Sequence, residues 1–181
     1  MMTLEELSAR EEIRGVLVRY TRGVDRNDLV LVRSAFHEDA FIQFPESLHQ
    51  GSLDGFIAFG TAEFQRFLRT RHAITNIQID FDGPRTAYVE TYLHADHQGT
   101  EAHHWKTRVI ELWARYLDRF EERDGAWRIA RRELVVDWMY KYPAEGWFDD
   151  HPDASDTRRN GTDPFMKPRA GFQGKPEDGP A

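Results

Sequence analysis

The chain has 181 residues, a formal net charge of −7 and no cysteine, a length that fits one domain, or one domain with a tail. The acidic balance, with no Lys/Arg-rich run, argues against a nucleic-acid partner, because phosphate contacts need clustered basic residues. Without cysteine there is no disulfide framework, thiolate nucleophile or zinc-thiolate site.

The chain is charged from Glu5 onward and carries no signal-like apolar stretch. No later run approaches the ~20 apolar residues of a membrane span. A cytoplasmic protein with no membrane partner is expected. Thr3-Leu4-Glu5-Glu6 has the form of a capping box. Ile13, Val16, Leu17, Tyr20 and Val24 then recur at helical spacing and predict a buried stripe. The helix should end near "VDRND", where Asn27 or Asp28 can cap a second helix, "LVLVRSAF". "AFIQF" reads as a short strand. "GSLDGFIAFGTAEFQRFLRT" reads as helical from a cap at Ser52 or Asp54, with Phe56, Phe64, Phe67 and Leu68 as core candidates. From residue 71 the period changes to two. "RHAITNIQIDFDG", "TAYVETYLHADH", "HHWKTRVIELWARYLDRFEERDG" and "AWRIARRELVVDWMY" predict a four-stranded antiparallel meander, with Asp124-Gly125 as a hairpin turn. Helices followed by strands make an α+β pattern, with the helices on one face of a curved sheet. After Pro143 the chain turns rich in Pro, Gly, Asp and Asn, which on composition alone is a disordered tail. Its Trp147, Phe148, Phe165, Met166 and Phe172 would anchor it on a neighbouring subunit.

Several reactive side chains fall where they could converge. Asp25 stands at the end of the first helix, with Tyr20 five residues before it. His72 opens the first long strand, and His94 and His97 close the second. Arg108 and Tyr116 share parity on the third strand, and Trp138 ends the fourth. A carboxylate beside an imidazole suffices for proton abstraction, because it fixes the tautomer and stabilises the imidazolium. No nucleophile or phosphate-loop motif is present. Bland readings stand beside these. Asp25 could simply end one helix and help cap the next, and His72 could be a polar strand end. Arg108 and Tyr116 could belong to a solvated strand face. His94-Ala95-Asp96-His97 and His103-His104 suggest a metal, but each histidine pair points to opposite faces of a strand, so no metal is expected.

The run from "YTRGVDRNDLVLVRSAFHEDAFIQF" through "RHAITNIQIDFDGPRTAYVETYLHADH" to "RDGAWRIARREL" resembles the nuclear transport factor 2-like superfamily. The resemblance covers roughly residues 4–142. It is to the branch of SnoaL-like proteins, scytalone dehydratase and hexachlorocyclohexane dehydrochlorinase. It implies a cone-shaped α+β barrel over residues 1–142, with N-terminal helices on a curved, mainly antiparallel sheet of four to six strands. Residues 143–181 would be a pocket-closing, subunit-wrapping extension. The resemblance places that branch's Asp–His dyad on Asp25 and His72, and a second histidine on His97. It implies cofactor-free elimination and a homotrimer, with Trp138, Tyr140 and Trp147 near the pocket mouth. Two tyrosines that assist departure of water in scytalone dehydratase fall on Val24 and Phe44, so scytalone itself is not the expected substrate.

The expectation is therefore a cofactor-independent lyase with a small aromatic substrate, such as a lignin-type diol losing formaldehyde or water. His72 is the expected base, oriented by Asp25. Tyr20, His97, Arg108 or Tyr116 would hold substrate oxygens, and Phe44, Phe56, Trp113, Trp138 and Trp147 would form an aromatic pocket. An isomerase or polyketide cyclase, and a non-catalytic small subunit of a ring-hydroxylating dioxygenase, are the alternatives.

Overall fold

The computed structural model describes residues 2–100 and 108–143, with the Arg108 side chain excepted. Helix α1 (Leu4–Arg26) starts at Thr3, whose hydroxyl accepts the Glu6 N–H at 3.1 Å and satisfies a first-turn donor. The expected stripe is buried: Ile13, Val16, Leu17, Tyr20 and Val24 are each at most 5% exposed. Asn27 ends the helix in the left-handed region at φ 55°, and the Asp28 carboxylate caps α2 (Leu29–Arg33) through the Leu31 N–H. Both caps come from Asn27 and Asp28, so the Asp25 carboxylate is left for another task.

Helix α2 is shorter than expected, because Phe36 already starts strand β1 (Phe36–Gln43) and is buried there. A three-residue strand β2 (Gln50–Ser52), too short for a period, pairs antiparallel with β1. Ser52 caps α3 (Leu53–Glu63) by accepting the Gly55 N–H. A 3-10 turn over Phe64–Arg66 comes next, and strand β3 (Phe67–Phe81) begins at Phe67, before the expected residue 71. Strands β4 (Thr86–Gly99), β5 (Arg108–Arg123) and β6 (Ala126–Pro143) complete the meander. Asp124 and Gly125, at φ 53° and 76°, make the β5–β6 turn, where two positive φ values match the twist of the strands.

The six strands lie in the order β2-β1-β6-β5-β4-β3. β1 runs parallel to β6, and every other pairing is antiparallel. The sheet is open, with β2 and β3 at its edges, so the expected cone is formed without closing into a full barrel. An exposed edge leaves backbone groups unpaired, and α1 answers this on β3. Arg10 donates to the Ile79 carbonyl at 3.2 Å, and the Asp25 carboxylate accepts the His72 N–H at 3.0 Å. The core fills the space between α1, α3 and one sheet face, with Leu17, Phe36, Ile42, Phe56, Phe120 and Ile129 buried in it.

Strand β6 carries two bulges. Ile129 faces Phe120 while Arg131 faces Arg119, and Val136 faces Ala114 while Trp138 faces Trp113. Ala130 and Asp137 are thus extra residues, and each shifts the inside–outside alternation of the rest of the strand by one position. Among the described residues no helix is long and apolar enough to cross a membrane. The expected extension over residues 143–181 lies outside the described residues from residue 144 onward.

Candidate active site

Asp25 stands in the last turn of α1, and Thr70 and His72 are on the helix-facing side of β3, two residues apart and hence on one face. Their meeting is close. The Asp25 Oδ1 lies 2.6 Å from His72 Nδ1 and accepts the Thr70 hydroxyl at 3.0 Å, while Oδ2 accepts the His72 backbone N–H at 3.0 Å. One carboxylate so fixes both the backbone and the ring of His72. Donation from Nδ1–H to Asp25 leaves Nε2 as the basic nitrogen, and among the described residues nothing hydrogen-bonds it. The two side chains are only 7% and 15% exposed, which strengthens their interaction relative to water.

His97 faces Thr70 across the β3–β4 ladder, and its ring stands edge-on to His72 at 4.9 Å. Phe67 stacks obliquely on His97 at 5.1 Å. Beside the dyad the cross-strand row reads His72, Ala95, Leu112 and Met139. The next row reads Ile74, Leu93, Ala114 and Val136. Two alanines among aliphatic side chains give this part of the cone an apolar wall with little bulk near the imidazole.

Deeper along α1, Tyr20 meets Tyr116 edge-on at 5.7 Å. The Arg132 guanidinium lies 4.1 Å from the Tyr20 ring and 4.0 Å from the Tyr116 ring. Asp118 holds it in a bidentate pair at 2.8 and 2.7 Å, and both side chains are fully buried. Arg132 Nη1 has no partner among the described residues. Burial pushes the Tyr20 and Tyr116 phenols up, with Arg132 pulling both back. Burial also pushes the Asp118 carboxyl up, against the pull of Arg132. We take the pair as ionised, because the bidentate geometry is that of a guanidinium on a carboxylate and arginine does not deprotonate in proteins. Arg132 and Asp118 are not among the residues the sequence pointed to. Strict alternation from Trp127 and Ile129 puts Arg131 inside, and the Ala130 bulge puts Arg132 there instead.

The structure separates the other expected residues. Phe44 packs on the buried Phe56 at 5.2 Å, at the α3 end of the core. Trp113 and Trp138 pair with each other on the open face, 42% and 61% exposed, opposite to the face that carries His72. Tyr140 lies on that open face as well. The Asp137 bulge is the reason: it turns Trp138 outward and Met139 inward. The Arg108 side chain and Trp147 lie outside the described part of the chain. His94 and His97 point to opposite faces, as strand parity requires. His94 stacks on Trp113 at 4.2 Å and, with Asp96 and Glu111, forms a metal-capable trio whose donor atoms lie within 4.8 Å of one another. That trio is on the open face, away from the dyad.

A SnoaL-like domain model matches residues 5–133. Solved structures share the fold. A scytalone dehydratase-like protein from Novosphingobium aromaticivorans is 24% identical, with 76% of this chain and 90% of that one covered at a TM-score of 0.68. A type 2 hexachlorocyclohexane dehydrochlorinase is 17% identical over 80% of this chain and 95% of that one, at 0.71. The type 3 dehydrochlorinase from Novosphingobium barchaimii is 18% identical over 77% and 93%, at 0.68. No curated protein matches the chain.

Proposed function

The chain belongs to the SnoaL-like domain family of the nuclear transport factor 2-like superfamily, and from that premise we propose that it is a cofactor-independent lyase driven by the Asp25–His72 dyad. The observation that carries this reading is the 2.6 Å contact between Asp25 Oδ1 and His72 Nδ1, with His72 Nε2 left unbonded among the described residues. His72 Nε2 takes a proton from the substrate, and Asp25 stabilises the imidazolium that results. The electron pair released forms a carbon–carbon double bond as the leaving group departs from the neighbouring carbon. His97, beside His72, supports the leaving oxygen. Tyr20, buried against Tyr116 and Arg132, is the phenol to which a second substrate oxygen is assigned in this reading.

The substrate class is a small aromatic diol that loses water, alone or together with formaldehyde, to give a conjugated alkene. Where formaldehyde is lost, His72 takes the hydroxyl proton, the C–C bond breaks, and its electron pair forms the double bond as water leaves the neighbouring carbon. The aliphatic rows beside His72 suit a flat, uncharged ring better than a charged molecule. The products distinguish the members of this class: formaldehyde is scored chemically, and the alkene by its new ultraviolet absorbance. General-base catalysis is worth roughly 10²–10⁴-fold, so His72→Ala loses at least about 10²-fold in kcat/KM with the far-UV spectrum unchanged. Near-native turnover in that variant would overturn the dyad. A product of unchanged mass would assign the same dyad to an isomerase.

A further inference from the structure

Most arginines described on this molecule have a carboxylate partner. Arg14 pairs with Glu11, Arg33 with Glu38 and Asp54, Arg115 with Glu90 and Asp137, and Arg123 with Asp39 and Glu121. Arg19 and Arg128 are among the exceptions: no carboxylate among the described residues pairs with either, and Glu121, across the ladder from Arg128, is held by Arg119 and Arg123. Burial and then the Arg128 charge hold the Arg19 guanidinium below its ordinary range. Arg19 Nη2 donates to the Ser34 carbonyl at 3.2 Å, and its Nε is buried with no partner. Both arginines line a groove of about 440 Å³ between α1 and the β5–β6 hairpin, along with Gly15, Ser34, Ala126 and Trp127. Glu12 also lines it, but two helical turns before Arg19, about 10 Å along the axis of α1.

Two guanidiniums lining one groove repel, and a buried N–H without an acceptor is unfavourable. A shared oxyanion removes both penalties, since each guanidinium presents a planar fork that matches the oxygens of a phosphate or carboxylate. We propose that the groove between α1 and the β5–β6 hairpin binds a small oxyanion, a phosphate or carboxylate group clamped by Arg19 and Arg128. The groove's volume accommodates the anionic end of a small organic molecule as readily as a free ion. The clamp is separate from the Asp25–His72 dyad and does not depend on the reaction assigned to it.

The test titrates the full chain with sodium phosphate, sodium acetate and sodium chloride at constant ionic strength, reading melting temperature and binding heat. Phosphate or acetate should bind saturably and raise the melting temperature, while chloride does neither. A stronger phosphate response identifies a phosphate group as the natural ligand, and an equal or stronger acetate response identifies a carboxylate. Arg128 is exposed on β6, so Arg128→Gln should fold normally, keep lyase turnover and weaken oxyanion binding at least about tenfold. Arg128→Glu places a carboxylate beside Arg19 and should abolish the response. Equal responses to chloride and the oxyanions would reduce the effect to screening and overturn the site, as would variants that bind phosphate like the parent.

Discussion

At the scale of single residues, the buried polar groups dominate. Tyr20 and Tyr116 are each 2% exposed, and burial raises both phenols above their ordinary value of 10.0. A group whose folded pKa is raised holds its proton more tightly in the folded state. Its contribution is intact below the unfolded pKa and is lost as pH rises from there toward the folded value. The urea midpoint should therefore be flat around neutrality and fall from about pH 10 upward. Tyr116→Phe should blunt that alkaline fall, which a midpoint-versus-pH series with tyrosinate absorbance will show. Arg132 and Asp118 behave differently. Removing one partner of a buried ion pair leaves the other uncompensated, typically at a cost of about 3–5 kcal/mol. Asp118→Ala should therefore unfold at much lower urea, while a paired Asp118→Leu, Arg132→Met change should recover most of the loss.

At the scale of elements, strand β6 decides which side chains enter the cone. If the Asp137 bulge sets the wall beside His72, then Met139→Trp crowds the row shared with His72 and Ala95. It should lower kcat/KM about tenfold, a loss on the order of 1.4 kcal/mol in transition-state binding. Trp138→Ala, on the other face, should leave steady-state kinetics unchanged. The same bulges mark the limit of what could be read in advance. Periodicity located α1, the meander and the hairpin, because long amphipathic runs repeat one signal many times. The pairing of Asp25 with His72 comes from the family resemblance that "GVDRND" and "HAITN" carry, because spacing alone does not bring a helix end to a strand start. One extra residue in a strand leaves no compositional trace, yet it moved Arg132 inside and Trp138 outside. Strand β3 began early for a related reason: Phe67 and Leu68 suit a helix or a strand equally, and the 3-10 turn over Phe64–Arg66 settles the boundary in three dimensions.

At the scale of the molecule, Asp25 ties stability to the proposed chemistry. Its carboxylate closes the exposed edge of β3 at the His72 N–H and at the same time orients the imidazole. Asp25→Ala should lose the reaction and also leave a poorly solvated N–H unsatisfied, worth about 1–3 kcal/mol. Asp25→Asn keeps an acceptor for that N–H, so it should retain most of the stability while losing most of the turnover. Urea unfolding and kinetics on the same two variants separate the roles. If Asp25→Asn kept full turnover, orientation and charge at this carboxylate would not matter to the chemistry.

The parallel pairing of β1 with β6 has a consequence in time. Phe36 lies opposite Ile129 and Phe41 opposite Arg131, so the first strand finds its main neighbour only after nearly the whole sheet has been made. Contacts that distant slow folding. During synthesis, β1, with Phe36, Ala40 and Ile42 meant for burial, waits beside α1 until β6 leaves the ribosome. The cone is sealed by its last strand, so its first strand is the one that most needs shelter while the protein is born.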